Sequence, residues 1–281
     1  MANILKAIKR VVETPIVDIK AVYGGRNRAN SVGAALEAYV RDMIAGTFNI
    51  DSPTERNDIY SSIFSYRGNQ NNPPDLILKG GDAIEIKKIE SLGSSIALNS
   101  SYPKDKIYSD SPMITSECRT CEKWDVKDLI YVVGCLANEK LKTLWIVYGD
   151  CYAASKEIYE RIRTKIAEGI SEIRDVEFAK TKELGRVNRV DPLGITNLRI
   201  RGMWQIENPR KVFDYIHVMP DGFEFQVACI MKQDKYESFS NDDRNAVEGI
   251  QHDGFELTNI EIKNPNNPAN LMNAKLITFN L

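Results

Sequence analysis

The chain has 281 residues, 43% of them hydrophobic and 27% charged, with a net charge of −2; these are ordinary values for a globular protein. That length buries a sizeable core in one large domain or two small ones, and no apolar run nears the roughly 20 residues that a bilayer span needs. The near-neutral balance excludes a globally basic protein, so any contact with nucleic acid must come from locally concentrated positive charge.

The first twenty residues, MANILKAIKRVVETPIVDIK, hold basic residues but no long apolar core and no small-residue cleavage site. They read as an amphipathic helix and not as a signal peptide. In residues 31–45, SVGAALEAYVRDMIA, the positions Val32, Ala35, Leu36, Tyr39, Val40, Met43 and Ile44 recur at helical spacing, and Ser31 is the expected N-cap. Glu37 sits at the edge of that stripe, either as an acid turned toward a site or as a partly exposed helix glutamate. Residues 49–72 are polar and irregular, with a strand expected at 59–66 and a loop at Asn69-Gln70-Asn71-Asn72.

The stretch from Pro73 to Lys88 reads PPDLILKGGDAIEIKK. Leu76, Ile77 and Leu78 form a short apolar strand, Lys79-Gly80-Gly81-Asp82 a turn, and residues 83–87 an alternating strand that ends or bulges at Lys88-Ile89. Side chains two apart share a strand face. Glu85 and Lys87 therefore project together, Ile84 and Ile86 face the core, and Asp75 meets Glu85 across the pair. Two carboxylates of this kind suit Mg²⁺, which takes one or two protein carboxylates and keeps several waters. Such an ion acidifies a water and stabilises charge on a phosphate. Lys87 would orient that water or neutralise the developing charge. The pattern thus points to a metal-dependent nuclease with Asp75 and Glu85 as metal ligands. The same three residues also describe an ordinary solvated hairpin face, because Glu-x-Lys alone is very common.

Residues 91–120 are rich in Ser, Asp, Pro and Tyr and read as a long connection with little regular structure, a kind of loop that often carries function. Lys104, Lys106 and Arg119 are candidates to meet phosphates there. Residues 129–136 and 141–148 look like two central strands. Residues 152–173 form a strong helix candidate, whose Ile158, Ile162, Ile166, Ile170 and Ile173 are expected mostly in the core. Further strands are expected at 198–204, 213–218, 223–230, 257–262 and 276–279. The whole reads as an α/β protein with one domain over 1–281, residues 1–175 forming a catalytic core and 176–281 a β-rich extension that recognises DNA.

Five cysteines, odd in number and irregularly spaced, fit a reducing, cytoplasmic setting. Cys118-x-x-Cys121 looks like half a zinc site or a redox pair. His217 and His252 are far along the chain, and no second pair completes the four ligands of a structural zinc site.

Residues 180–211 hold Lys180, Lys182, Arg186, Arg189, Arg199, Arg201, Arg210 and Lys211 against Glu183, Asp191 and Glu207, a local charge of +5. Such a patch suits phosphate contacts and makes binding salt-dependent. Arg186, Asn188 and Arg189 lie in a turn-like stretch, and Arg199 and Arg201 alternate on a strand. Arginine pairs with guanine O6 and N7, and asparagine with adenine; the bland alternative is a solvated basic strand. Lys104 joins these five as a candidate DNA contact.

NPPDLILKGGDAIEIKK, together with GRVNRVDPLGITNLRIRGMWQIENP downstream, resembles the NgoPII-type group of type II restriction endonucleases over most of the chain. The resemblance implies a PD-(D/E)xK fold, a central mixed β-sheet flanked by helices. It also implies Mg²⁺-dependent cleavage of double-stranded DNA at a short palindrome, GGCC. The motif carries the catalytic role onto Asp75, Glu85 and Lys87, and Glu37 resembles the helix acid found in such nucleases. A palindromic target is matched by a C₂ homodimer, and a prokaryotic host would protect its genome with a cognate DNA methyltransferase. Two other readings stay open: a structure-specific repair or junction nuclease on the same fold, and a DNA-binding module without catalysis, which the intact Asp75, Glu85 and Lys87 disfavour.

Overall fold

Asn3 starts helix α1 (Ile4–Glu13) by accepting the Lys6 N–H at 3.1 Å, and Ile4, Leu5, Ile8, Val11 and Val12 form its buried face. The computed structural model describes residues 1–23, 32–68, 72–137 and 140–281. After α2 (Ile19–Tyr23) comes α3 (Val32–Ala45). Ala35, Leu36, Tyr39, Val40, Met43 and Ile44 are all buried there, as helical spacing requires. The expected cap Ser31 and the loop residues Asn69, Gln70 and Asn71 lie outside the described residues.

Residues 53–63 are a helix and not the irregular stretch their polarity implies. In α4 (Pro53–Ile63) Ser52 accepts the Glu55 N–H at 3.3 Å and Pro53 opens the first turn, a capping signal that outweighs composition. The expected strand over 59–66 shrinks to β1 (Phe64–Arg67). The hairpin of β2 (Leu76–Leu78) and β3 (Ala83–Ile89) follows in the register Leu76↔Ile84, with Gly80 at φ +63 in its turn. Strand β3 does not break at Lys88-Ile89, because its parallel pairing with the next long strand continues through Ile89↔Cys135.

The expected long loop at 91–120 holds β4 (Ile96–Asn99), β5 (Lys106–Tyr108) and α5 (Ser116–Thr120). Each is too short to stand out by periodicity. Strands β6 (Val126–Ala137) and β7 (Lys140–Tyr148) are the apolar centre, followed by α6 (Gly149–Tyr152) and α7 (Lys156–Ser171). Helix α7 buries none of its residues, so its isoleucine stripe is not core: Ile162 and Ile166 are 42% and 46% exposed.

The expected strand at 198–204 is two strands in different sheets. A small hairpin joins β8 (Gly185–Val187) to β9 (Leu198–Ile200), while β10 (Trp204–Ile206) pairs with β4. The expected strand at 213–218 is instead a set of turns after α8 (Pro209–Val212). Asn208 caps that helix and the Ile216 and His217 N–H groups bond back to the Phe213 carbonyl at 3.0 Å. The chain ends with β11 (Gln226–Lys232), α9 (Gln233–Glu237), α10 (Asn241–Glu248), β12 (Phe255–Asn264) and β13 (Asn267–Asn280).

Among the described residues, nine strands form one mixed sheet in the order β1-β2-β3-β6-β7-β11-β13-β12, with β5 on β6. The β3–β6 and β7–β11 pairs are parallel. Helix α3 lies so close over β6 that a Cβ at Gly134 would meet Leu36 at 2.7 Å. Ala83 to Ile86 are buried without interruption, as strands covered on both faces are. No described helix is long and apolar enough to cross a membrane.

Candidate active site

Asp75 stands one residue ahead of β2, where the antiparallel register sets it beside Glu85. Its N–H donates to the Ile84 carbonyl at 3.0 Å, and its Oδ2 accepts the Ile86 N–H at 2.6 Å. The carboxylate is thereby clasped to the strand that carries the other two residues of the motif. Glu85 is only 8% exposed; its Oε1 pairs with Lys87 Nζ at 2.6 Å, and its Oε2 is buried without a hydrogen-bond partner. The period-2 geometry of β3 makes the Glu85–Lys87 pair, and the covering of both sheet faces desolvates it.

Burial and then the charge of Glu85 push the Asp75 carboxyl up to about 7, against the opposing pull of the Ile86 N–H and Lys87. Two carboxylates crowded out of water favour a shared proton or a cation between them. Burial works to lower the pKa of Lys87, but Glu85 foremost, with Asp75 and Glu37, outweighs it and holds the ammonium above its ordinary value. Glu37 is half-buried on α3, on the neighbouring helix, and its negative charge is felt at both Asp75 and Lys87.

Among the described residues no three Asp, Glu, His or Cys side chains converge into a full metal cage. The Cys118–Cys121 pair gains no further ligand, and both are free thiols. The unpartnered Oε2 of Glu85 beside the Asp75 carboxyl nevertheless fits a hard divalent cation that keeps most of its own waters.

The motif opens into a cleft of about 940 Å³ whose lining includes Asp75, Glu85, Lys87, Ser101, Arg201 and Trp204. The broken strand explains the last two. Trp204 pairs with Asn99 of β4, so residues 201–203 cross from the β8–β9 hairpin to the wall above the motif. The opposite wall is α7, through Ile162, Arg163 and Ile166. Tyr159 of α7 stacks on Tyr102 with ring centres 5.6 Å apart and meets the Trp204 ring edge-on at 5.7 Å.

The candidate DNA contacts divide. Arg201 lies in the cleft; Arg199 and Arg201 both bond to Glu183 and are 53% exposed at the side chain. Arg186 faces Arg199 across the hairpin and donates to Asn188 Oδ1 at 2.8 Å. Arg189 is exposed at the hairpin tip, with φ +53. Lys104 is not on an open loop. It is 6% exposed, its Nζ bonds to Ser101 Oγ and to the Tyr102 carbonyl, and its N–H donates to Tyr131 Oη at 2.7 Å. Tyr131 is paired with Glu85 in the sheet, so this lysine belongs to the wall of the motif. Burial drives its pKa down to about 8, with Lys87 adding to the shift and Glu85 opposing it. Lys106 and Arg119 are occupied as well, by Asp128 at 2.8 Å and by the Ser109 and Ser111 carbonyls at 2.6 and 3.0 Å.

Sequence reasoning passes over Glu183, Arg163, Ser101 and Trp204. Glu183 counts there only as a negative charge within a basic segment, since its partners are 16 and 18 residues away. Arg163 follows Ile162 on α7 and lines the cleft with it and Ile166, a local sign that this stripe faces something polar.

The sequence profile of the NgoPII restriction endonuclease family matches residues 2–263. The type II restriction enzyme NgoPII of Neisseria gonorrhoeae is 49% identical over 280 residues, which covers 99% of this chain and all of that protein. Isoleucine–tRNA ligases of two Prochlorococcus marinus strains are 25% identical over 191 residues, 64% of this chain but 20% of each ligase; so partial a likeness says nothing of activity. No solved structure matches the chain significantly. With both its length and its motif region inside that match, the chain belongs to the NgoPII restriction endonuclease family and is a site-specific endonuclease.

Proposed function

We propose that the protein is a Mg²⁺-dependent type II restriction endonuclease of the PD-(D/E)xK superfamily that hydrolyses both strands of duplex DNA at a short palindrome, GGCC. One observation carries this reading: Asp75 and Glu85 lie side by side out of water, with Lys87 paired to Glu85 at 2.6 Å, at the floor of a cleft of about 940 Å³ with an arginine on its wall.

Asp75 and Glu85 would hold the cation, and Glu37 adds negative charge from α3. Bound there, Mg²⁺ supplies charge neutralisation at the phosphate and acidifies a water. Lys87, kept protonated by Glu85, stabilises the charge that grows on the phosphate oxygens or orients the incoming water. Lys104 adds a second positive charge behind the Glu85–Lys87 pair. Residues 1–175 act as the catalytic part and 176–281 as the part that reads DNA, with Arg186, Asn188, Arg189 and Arg201 supplying contacts to phosphates or bases. A homodimer places one site on each strand of a two-fold symmetric target. A methyltransferase of the same specificity guards the cytoplasmic DNA of a prokaryotic host.

The test is digestion of a sequenced plasmid with Mg²⁺ and with EDTA, followed by sequencing of the fragment ends. Discrete Mg²⁺-dependent ends at GGCC are expected. Discrete ends elsewhere replace the site, and random or branch-dependent cutting points to a structure-specific nuclease.

A further inference from the structure

Glu183 is flanked by backbone contacts that hold it in place. Its N–H donates to Thr181 Oγ1 at 3.1 Å, the neighbouring Leu184 N–H donates to the Ile200 carbonyl at 3.1 Å, and Arg163 of α7 donates to the Lys182 carbonyl. From this fixed base its carboxylate takes two arginines unequally. Arg199 approaches with two nitrogens, Nε to Oε2 at 2.9 Å and Nη2 to Oε1 at 2.6 Å. Arg201 uses Nε alone, on Oε1. A guanidinium has five N–H donors in a planar fork, so Arg199 has its side edge committed. Arg201 keeps both terminal nitrogens without another hydrogen bond among the described residues, and it lines the cleft that holds Asp75, Glu85 and Lys87.

We propose that Glu183 is a positioning residue for sequence readout: it anchors on Arg199 and presents the terminal edge of Arg201 to a guanine in the cleft. The proposal rests on reading the cleft as the DNA site. Guanine offers O6 and N7 as paired acceptors in the major groove, which a two-donor edge matches. An exposed arginine left to itself would lose side-chain freedom when it docks, and pinning Nε in advance reduces that cost. Glu183 also offsets the repulsion between two neighbouring guanidinium groups. Contact with Arg199 and Arg201 holds the Glu183 carboxyl down at about 2, so the anchor stays charged across the working pH range. Arg199 becomes a buttress and Arg201 the reader, although the sequence shows only two arginines alternating two residues apart.

The experiment measures kcat and KM for cleavage of a short cognate duplex and of duplexes carrying 7-deazaguanine, which lacks N7, at each guanine in turn. At the position read by Arg201, the analogue should lower kcat/KM of the wild type on the order of 10- to 100-fold. Arg201→Ala should lose a similar factor on the natural duplex and become indifferent to the analogue. Arg199→Ala should keep the sensitivity. Glu183→Gln should lose a large part of it, mainly through KM, and the Glu183→Gln/Arg201→Ala pair should be no worse than Arg201→Ala alone. Should Glu183→Gln fail to fold by circular dichroism, Arg201→Lys tests the same edge, since it keeps the charge and cannot form the paired contact. Glu183→Gln with unchanged analogue sensitivity would overturn the proposal, as would tighter binding to every duplex, which would make Glu183 a latch. A wild type that cuts no discrete site would instead refute the reading of the cleft itself.

Discussion

Two hairpins of this molecule carry charged residues toward the same cleft, and they differ in what covers them. The β2–β3 hairpin is locked into a nine-stranded sheet, with β3 paired to β6 over seven residues, Ala83 to Ile89. The β8–β9 hairpin is a separate two-stranded sheet, and its tip exposes Leu193 at 81%. On the first, burial raises the Asp75 carboxyl, while Glu85 keeps Lys87 charged against the opposing pull of burial. On the second, Arg199 and Arg201 pair with Glu183 yet keep about half their side-chain surface, which leaves them open to a partner. Chemistry needs a dry, rigid support, whereas recognition needs donors that are fixed yet still open to a ligand.

The sharpest way to break the comparison is at the buried pair. Lys87→Ala should lower the cleavage rate about 10²- to 10³-fold, the scale of removing one charge-stabilising group, while duplex binding persists in a gel-shift assay. Full activity would remove Lys87 from the site. Next in size, Ile130→Ala, on β6 within the same sheet, should cost roughly 2–5 kcal/mol in a urea titration, as core truncations do. A loss below 1 kcal/mol would mean that the sheet is not the rigid element.

Asp75 allows a test by pH. Its folded carboxyl is raised to about 7 by burial and by Glu85, above the ordinary value near 3.9 of an unfolded chain. The folded state therefore binds more protons between those values, and this contribution to stability is full below about pH 4 and lost as pH climbs through about 7. In EDTA, Asp75→Asn should melt higher than the wild type by a margin that grows across that window, and adding Mg²⁺ should raise the melting temperature of the wild type alone. A margin independent of pH would contradict the raised carboxyl. The smallest effect belongs to the exposed hairpin. Leu193→Ser should shift stability by no more than about 0.5 kcal/mol, and a larger shift in thermal melting would show that the tip is packed in solution.

Legibility in the sequence follows the same division. The Asp75–Glu85–Lys87 arrangement is readable because a strand has a two-residue period and a Gly-Gly turn marks the hairpin. The α3 stripe and strands β6 and β7 are readable because their apolar patterns are long. Helix α4 is hidden by polar composition, although Ser52 and Pro53 announce its start. On α7 the periodicity correctly reports one-sidedness but cannot report what lies opposite, so isoleucines that line the cleft read as core. Lys104 shows the converse error, a lysine read as surface that is buried behind Tyr131 and Ser101. The meeting of Glu183 with Arg199 and Arg201 depends on a hairpin fold whose strands are three residues each, too short for any local pattern to reveal.

The isoleucines of α7 carry one more consequence. Ile162 and Ile166, with Met203 and Trp204 opposite, give the free cleft a wetted apolar wall. A duplex that fills it displaces that water, and removing apolar surface from water lowers heat capacity. Calorimetric titration across temperature should therefore give a binding enthalpy that grows more negative on warming, even though the ligand is a polyanion.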